Sequence, residues 1–252
     1  MQILQIKDLA SGFNNKNLFQ NLSFVLNEPA FIAIIGLNGS GKSTFLKALL
    51  GKQSFYGNIT VKGLNISTAS QQKIAKHISY LGQKNSLGFS ICVVELVVMG
   101  LFREKNFFDS YNKQDYEQAF KVLELLHIEH LAHKDFLLLS GGEQQLVWIA
   151  QMLLQKTTVW LMDEPTQQLD LLRKKQVFNL FSGIVRAKGK TIFCVTHDIY
   201  NLTEMDGFFI NISEKQPRLQ TITAENLKGA VNMLEEQNAF LFHRTSITDN
   251  GI

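Results

Sequence analysis

The sequence contains few of the residues that mark disulfide-rich, metal-binding and nucleic-acid-binding proteins. It has only two cysteines, Cys92 and Cys194, both within apolar runs, and their spacing fits no metal site. We expect both to be buried thiols in a reducing compartment. The formal net charge of +3 is too small to indicate a surface for nucleic acid, so we expect no nucleic-acid partner.

Long hydrophobic runs are also lacking. The longest, at 31–37 and 91–102, are too short to cross a bilayer, and the second contains Glu95. The first ten residues lack the apolar core of a signal peptide. Internal repeats, low-complexity segments and long linkers are absent from the sequence. These features predict a soluble cytoplasmic protein, and they leave open that it docks onto a membrane protein.

The order of the apolar patterns predicts an α/β protein, and 252 residues suffice for one large domain or two small ones. Alternating residues in the first thirty positions predict strands of an antiparallel sheet. Continuous apolar runs predict buried strands at 31–36, 158–163 and 191–196. A helix that Gly51 closes follows the first of these, and helices are expected over 84–155, including one at 115–128. We interpret the polar residues 226–252 as a C-terminal tail.

The segment GLNGSGKST follows the first buried strand and precedes a predicted helix. It fits the pattern G-x-x-x-x-G-K-[ST] in the strand–loop–helix context of a phosphate-binding loop; a glycine-rich turn that binds nothing is the alternative. Glycines let successive N–H groups point inward, and the helix N-terminus attracts phosphate. Lys42 adds a charge for the β- and γ-phosphates, and Ser43 offers a hydroxyl to Mg²⁺. The predicted nucleotide-binding residues are Gly36, Leu37, Asn38, Gly39, Ser40, Gly41, Lys42, Ser43 and Thr44.

Two carboxylates, Asp163 and Glu164, stand at the end of the strand predicted over 158–163. Ligands of open α/β sheets bind at the carboxyl ends of the strands, so this pair is predicted to reach the phosphate-binding loop. Asp163 is predicted to hold Mg²⁺ through water, and Glu164 to activate or orient the water that attacks the γ-phosphate. Taken alone, the pair could equally cap the following helix.

Two further polar residues stand close to predicted strands. His197 follows the strand at 191–196, where it could donate a hydrogen bond to a γ-phosphate. A lone histidine is more often a structural surface residue. Gln83 has an amide that can hold both a metal ion and water, and by itself it would indicate nothing.

The stretch LLLSGGEQQLVWIAQMLLQ places Ser-Gly-Gly at the start of an apolar helix. Ser140 and Glu143 form the S-x-x-E pattern of a capping box, so the stretch could be only a well-capped helix. A capping box does not require Gly141 and Gly142, and glycine costs about 0.5–1 kcal/mol in a helical position. Bare N–H groups at a helix start suit an anion, which is the functional alternative.

Taken together and in this order, the motifs resemble those of the nucleotide-binding subunit of ABC transporters over about residues 3–225. The resemblance identifies the P-loop at Gly36–Thr44, the Q-loop at Gln83, the signature LSGGE at Leu139–Glu143, the Walker B carboxylates Asp163 and Glu164, the D-loop QQLD at 167–170 and the switch histidine His197. It also implies that Phe13 stacks on adenine, in a position where tyrosine is usual.

The resemblance implies a P-loop NTPase fold with a RecA-like core, an N-terminal antiparallel β-subdomain and a helical insert at about 84–155, all within a cassette of residues 1–225. It implies ATP and Mg²⁺, with catalytic roles for Lys42, Gln83, Glu164 and His197 and metal ligands Ser43, Gln83 and Asp163. It further implies a homodimer that sandwiches two ATP molecules. In that dimer the γ-phosphate held by one copy would meet the signature of the other, through Ser140, Gly141, Gly142 and Glu143.

The segment after Gln83 is similar to that of importers for iron–siderophore complexes, haem and vitamin B12. The similarity implies that residues 84–105 meet the subunits of a transmembrane permease, on the cytoplasmic face of the cell membrane, and that a substrate-binding protein takes part indirectly. The residues alone indicate an amphipathic core helix at VVELVVMG, and the two interpretations are compatible because a helix has two faces.

The chain departs from the family pattern behind its signature. Leu146 and Gln151 stand where arginines are usual, and Pro29-Ala30 replaces a glycine–acid turn. We expect the missing arginines to weaken coupling to transport more than ATP binding.

Three other functions are possible. A soluble ABC-type ATPase that acts on ribosomes or DNA usually has two cassettes or a coiled coil, whereas this chain has one cassette, no heptad run and little excess charge. The second alternative is an exporter or regulatory cassette. Whether the chain co-purifies with a permease that has many helices would distinguish this alternative from an importer subunit. A module that binds ATP without turnover is disfavoured by Glu164 and His197.

Overall fold

The computed structural model describes residues 2–13, 16–83, 85–106 and 109–248, with the side chains of Phe13, Lys16 and 240–248 excepted. The strands are β1 Leu4–Phe13, β2 Lys16–Leu26, β3 Phe31–Ile35, β4 Phe55–Val61, β5 Leu64–Asn65, β6 Ile78–Leu81, β7 Val159–Asp163, β8 Thr191–Val195, β9 Phe208–Asn211 and β10 Leu219–Thr221. The α-helices are α1 Lys42–Leu49, α2 Gln71–Ala75, α3 Val93–Val98, α4 Lys113–Leu125, α5 Gly141–Leu153, α6 Leu171–Lys188, α7 Ile199–Leu202 and α8 Ala224–Thr248.

The chain divides into two compact units. The first unit combines Met1–Thr68 with His197–Ile252, and the second is Ala69–Thr196. We call them the loop unit and the helical unit, because the first contains the phosphate-binding loop and the second contains most of the helices.

The loop unit contains an antiparallel sheet in the order β2-β1-β4-β5. The hairpin of β1 and β2 runs from Leu4 opposite Leu26 to Phe13 opposite Lys16, which confirms the antiparallel strands predicted for the first thirty residues. In the same unit β3 pairs with β9 in parallel, and β9 pairs with β10 in antiparallel orientation. Every residue of β3 is buried, and the phosphate-binding loop follows directly after this strand.

Helix α1 ends as the sequence predicts. Gly51 has a φ of 64°, and its N–H donates to the carbonyl of Ala48 at 2.9 Å. The N–H of Lys52 donates to the carbonyl of Lys47 at 2.9 Å, which completes a Schellman motif. A positive φ at this position is accessible to glycine without a Cβ penalty, so the predicted closure by Gly51 is confirmed.

The helical unit contains three parallel strands in the order β6-β7-β8. All residues of β7 and β8 are buried, as their continuous apolar sequences predict. Helices α3, α4 and α5 pack against one another in the same unit. Short 3-10 segments, Met99–Glu104, Glu129–Leu131 and Phe136–Leu138, connect them.

Some features differ from the sequence-based expectations. Strands β4, β5, β6, β9 and β10 were not predicted, because they are short or lack a continuous apolar run. Residues interpreted as a tail form most of α8, whose inner face includes the buried Leu227 and Ala230. Cys194 is buried as expected, whereas Cys92 is only half-buried because it lies at the N-cap of α3. Within the described ranges, we find no helix with the length and apolar character required to cross a membrane.

Candidate functional site

The phosphate-binding loop lies in the loop unit, between β3 and α1. Gly41 is the N-cap of α1, and Lys42 is its first residue. The Lys42 ammonium donates to the carbonyl oxygens of Gly36 at 2.9 Å and Leu37 at 3.0 Å, and its side chain is buried. These contacts fold the lysine back along its own loop. The positive charge of Lys42 therefore lies at the phosphate-binding loop, as the sequence motif predicts.

The first glycine of the loop is required by its surroundings. Gly36 has a φ of 151°, and a Cβ added there would lie 2.7 Å from the hydroxyl of Ser40 and 2.9 Å from that of Ser213. Ser213 also accepts a hydrogen bond of 2.8 Å from the N–H of Leu37. A side chain at Gly36 would have to displace both hydroxyls and would also carry the strain of this φ.

A polar atom of the loop that bears on ligand binding is the hydroxyl oxygen of Ser40. The Ser40 hydroxyl is buried and has no hydrogen-bond partner among the described residues. Buried hydroxyls are rarely left unpaired, because the desolvation cost is about 1–3 kcal/mol. Ser43 is half-buried and Thr44 is buried in the first turn of α1. The loop thus offers an unpaired hydroxyl, an ammonium and a helix N-terminus, a combination suited to phosphate.

The Walker B carboxylates lie in the helical unit, at the end of β7. Asp163 is the last residue of β7 and is 3 % exposed. The Tyr80 hydroxyl donates to its Oδ2 at 3.5 Å. Burial, followed by the negative charge of Asp163 and this hydrogen bond, raises the pKa of Tyr80 to about 12. Tyr80 therefore stays a neutral donor to Asp163 throughout the physiological range.

Glu164 stands in an unusual backbone conformation. Its φ is 54°, a left-handed value that costs a residue with a side chain on the order of 1–3 kcal/mol. Its N–H still donates to the carbonyl of Val195 at 3.1 Å, so the strain turns the chain without breaking the pairing with β8. Its carboxylate Oε2 accepts a hydrogen bond of 3.1 Å from Gln83 Nε2. The structure thus brings together two predicted site residues that are 81 positions apart.

The signature segment forms a complete capping box at the start of α5. The backbone N–H of Ser140 donates to Glu143 Oε2 at 2.8 Å, and the Glu143 N–H donates to the Ser140 hydroxyl at 3.4 Å. Hydrogen bonds from Ser140, first its hydroxyl and then its N–H, lower the pKa of Glu143. The structural interpretation of Ser140 and Glu143 is therefore confirmed.

The two signature glycines have a reason within the chain that the sequence did not reveal. A Cβ at Gly141 would lie 2.7 Å from Gln168 Oε1, and one at Gly142 would lie 3.0 Å from the Gln168 carbonyl. Gln168 belongs to the D-loop at 167–170. The Gln168 carbonyl leaves little room for a side chain at Gly142, whereas a side chain at Gly141 would meet only the end of the flexible Gln168 side chain.

The remaining predicted residues are placed as follows. His197 follows β8, is exposed, and its carbonyl accepts from the N–H of Ile199 at 3.0 Å. The side chain of Phe13 lies outside the described residues. The loop unit holds Gly36–Thr44 and His197, and the helical unit holds Gln83, Ser140–Glu143, Asp163 and Glu164.

Three residues of the site were missed by sequence reasoning, namely Tyr80, Gln168 and Ser213. Tyr80 contacts Asp163, which is 83 positions further along the chain, and Ser213 contacts Leu37, which is 176 positions earlier. No local sequence pattern marks either residue. Gln168 lies within the D-loop, which the sequence motif identified. Its contact with the signature glycines could not be inferred from the sequence.

The arginine replacements behind the signature have distinct surroundings. Gln151 Nε2 donates to the carbonyl of Leu96 at 3.0 Å and so ties α5 to α3. Leu146 is buried and lines a cavity of about 300 Å³ together with His127 and Arg173. At position 151 an amide that makes a structural hydrogen bond stands in place of an arginine charge. At position 146 an apolar side chain stands in place of the other arginine.

Comparisons with known proteins agree with this geometry. A profile of the ABC transporter family matches residues 19–167. An uncharacterised ABC transporter ATP-binding protein of Haemophilus influenzae is 39% identical over 171 residues, or 68% of this chain and 65% of that protein. The ferric enterobactin transport ATP-binding protein FepC of Escherichia coli is 34% identical over 197 residues, or 78% and 73%. The molybdate import ATP-binding protein MolC of Haemophilus influenzae is 33% identical over 242 residues, or 93% and 90%.

Solved structures show the same fold. An inward-facing ABC transporter described as of the metal-chelate type has a TM-score of 0.76 at 28% identity, over 92% of this chain and 90% of that one. A bacterial ABC transporter cassette solved as a dimer has a TM-score of 0.74 at 22% identity, over 86% and 96%. The α/β P-loop NTPase fold expected from the sequence is confirmed. The chain belongs to the ABC transporter family, as one of its ATP-binding ATPase subunits.

Proposed function

We propose that this ATPase drives a membrane importer for metal chelates of the iron–siderophore class. The proposal has four parts: phosphate binding at Gly36–Thr44, water activation at Glu164, contact with a second copy through Ser140–Glu143, and contact with a permease through residues 84–105.

The hydrogen bond between Gln83 and Glu164 is the observation that carries the hydrolytic part. It holds the Glu164 carboxylate directly after the buried strand β7, at a residue whose φ is 54°. A carboxylate positioned in this way can accept a proton from an attacking water. Gln83 would then respond to the state of the same carboxylate, which gives the Q-loop a direct contact with the proposed base.

The proposed metal ligands fit Mg²⁺ chemically. They are a hydroxyl from Ser43, an amide oxygen from Gln83 and a carboxylate from Asp163, and Mg²⁺ prefers oxygen ligands. Gln83 donates to Glu164 through its nitrogen, so its amide oxygen is left for a ligand. When bound, Mg²⁺ would neutralise part of the phosphate charge. Tyr80 would hold the buried Asp163 in orientation through its hydroxyl.

The proposed dimer contact uses the uncovered start of α5. Ser140 and Gly141 are exposed and Gly142 is half-buried, so the start of the helix is accessible from solvent. Amides at a helix start attract an anion. A γ-phosphate held by a second copy of the chain would supply that anion, and the capping box would hold the turn rigid.

Exposed apolar residues support a permease contact. Phe89, Met99 and Phe102 are 57%, 41% and 66% exposed, all within the segment 84–105. The buried Val93, Leu96 and Val97 of α3 form the opposite side of the same segment. One segment thus presents a core face and an apolar surface, which matches docking onto a membrane subunit on the cytoplasmic face.

The substrate class follows from relatives. The likeness to the ferric enterobactin subunit and to a transporter of the metal-chelate type favours iron chelates, which a substrate-binding protein would deliver to the permease. The likeness to a molybdate import subunit over more of the chain makes molybdate the second candidate.

Two measurements test the proposal. Phosphate release by the purified subunit, alone and with the permease that co-purifies with it, tests ATP hydrolysis and coupling. Uptake of a radiolabelled ferric catecholate and of molybdate by cells with and without the gene tests the substrate. We expect loss of ferric catecholate uptake only; loss of molybdate uptake alone would replace the substrate class.

A further inference from the structure

The segment that leads into α3 is paired with the segment that leads to the signature. Cys92 lies opposite Asp135 in an isolated antiparallel bridge, and the N–H of Phe136 donates to the carbonyl of Ile91 at 2.9 Å. Two more backbone hydrogen bonds continue the pairing, from the Val93 N–H to the Lys134 carbonyl at 3.0 Å and from the Val94 N–H to the Ala132 carbonyl at 2.9 Å. Two segments far apart in the sequence are thereby fastened side by side within the helical unit.

A side-chain contact joins the same two segments. The Ser90 hydroxyl donates to Asp135 Oδ2, and Asp135 Oδ1 accepts from the N–H of Leu137 at 2.9 Å. The hydrogen bond from Ser90, followed by that from Leu137, lowers the pKa of Asp135, so the carboxylate is ionised and accepts both bonds at neutral pH. We call the contact between the two side chains the Ser90–Asp135 link. Asp135 thus caps the turn Phe136–Leu138 and also holds the neighbouring segment.

This turn is held firmly on the signature helix α5. The buried ring of Phe136 packs edge-on against Trp148, with ring centroids 5.4 Å apart. Gln144 Nε2 donates to the carbonyls of Phe136 at 3.3 Å and Leu139 at 3.2 Å. Gln144 and Trp148 both belong to α5, which begins at the signature Ser140–Glu143. A displacement of the turn would therefore carry the start of α5 with it.

The other end of the link lies within the proposed permease contact. Ser90 is exposed and directly follows Phe89, which is 57% exposed. The same segment continues into the buried Val93 and Val97 of α3. The Ser90–Asp135 link therefore connects the surface proposed to meet the permease with the surface proposed to meet a second copy.

We propose that Asp135 is a positioning residue, through which contact of the permease with residues 84–105 orients the signature Ser140–Glu143. The inference rests on the proposed function, because it requires both a permease and a second copy. Coupling between distant sites can be carried by contiguous packed side chains and hydrogen bonds. The paired segments, the Ser90–Asp135 link and the packing of Phe136 supply such contacts. This route does not pass through the Q-loop, which contacts the proposed base instead.

The test measures phosphate release by the subunit alone and in complex with the permease that co-purifies with it. We expect the permease to raise the rate of the parent, and we call the ratio of the two rates the stimulation. Ser90→Ala should lower the stimulation by about two- to thirtyfold, the range for residues that link two sites. Asp135→Ala should lower it by a similar factor. The double variant should lower it no further, since both substitutions break one contact.

Two further variants control for damage to the fold. Asp135→Asn retains an acceptor for the Leu137 N–H and an amide that can hydrogen-bond Ser90, so it should keep most of the stimulation. Glu129→Ala removes an exposed carboxylate from the preceding 3-10 segment and should be stimulated like the parent. Thermal unfolding of each variant measures whether its fold is retained.

The outcomes are separable. A parent whose rate the permease does not raise would overturn the proposed permease contact, and with it the proposed function. Parent-like stimulation in both single variants would overturn the positioning role and leave the proposed function intact. Losses that add in the double variant would show that Ser90 and Asp135 act independently, which also overturns the positioning role. Equal losses of both rates, with stimulation unchanged, would have the same consequence, because they would show only a structural role. If Asp135→Ala does not fold, Ser90→Ala decides alone, since it leaves the cap on Leu137 intact.

Discussion

The phosphate-binding loop and the Gln83–Glu164 pair are assembled in different ways. The loop is made within nine consecutive residues, and Lys42 reaches back only to Gly36 and Leu37. The pair joins residues 81 positions apart through the register of β6 and β7, in which Leu81 lies opposite Met162. Gln83 and Glu164 each stand two residues beyond that pairing. The proposed binding site is therefore encoded locally, and the proposed hydrolytic pair depends on strand alignment.

The largest expected effect tests the pair. Glu164→Gln should lower the rate of phosphate release by roughly 10²–10⁴-fold, because it removes the proposed base, and should leave ATP binding unchanged. Phosphate release and calorimetry measure the two effects. Glu124→Gln, an exposed carboxylate on α4, is the control. A variant that hydrolyses ATP like the parent would show that Glu164 is not the base.

The next effect tests the loop. Lys42→Met should weaken ATP binding by about 10–100-fold, because charge-assisted hydrogen bonds to phosphate are lost. Lys47→Met, further along α1 and exposed, should bind ATP like the parent. If Lys42→Met kept its ATP affinity and lost only turnover, the division between a binding loop and a hydrolytic pair would be incorrect.

Alanine substitutions of glycines compare the stability of the phosphate-binding loop with that of the signature segment. Gly36→Ala should lower the free energy of unfolding by about 1–3 kcal/mol, because its φ of 151° is strained for alanine. Gly141→Ala should cost less, since it meets the end of the flexible Gln168 side chain, and Gln168→Ala should restore the loss. Gly183→Ala on α6, with nothing within 4 Å of an added Cβ, should be neutral or stabilising. Urea unfolding measures all four variants, and a large loss in Gly141→Ala that Gln168→Ala does not restore would exclude the proposed contact.

The smallest effect concerns the capping box. The pKa of Glu143 is lower in the folded state, so its contribution to stability is complete above its unfolded pKa and is lost as the pH falls through the folded value. The difference in unfolding free energy between the parent and Glu143→Gln should therefore shrink from pH 7 to pH 3. A difference that stays constant over this range would show that the Ser140 hydrogen bonds do not favour the ionised form.

The departures behind the signature show how far a sequence pattern extends. The pattern marks Leu146 and Gln151 as missing arginines, and it predicts weaker coupling. The structure adds that Gln151 ties α5 to α3 through Leu96. It also adds that Leu146 borders a cavity beside Arg173. What replaces a lost charge depends on neighbours distant in sequence, so no local pattern could have indicated it.

The sequence by itself determined the strand–loop–helix of the phosphate-binding loop, the capping box, the buried strands β3, β7 and β8 and the closure of α1 at Gly51. Each depends on residue types at short spacing, through glycine conformations, side-chain caps and continuous apolar runs. Only the tertiary structure decided the contacts of Tyr80 with Asp163, of Gln168 with the signature glycines and of Ser213 with the loop. These depend on strand register and on packing between segments far apart in the chain, which short-range patterns do not specify.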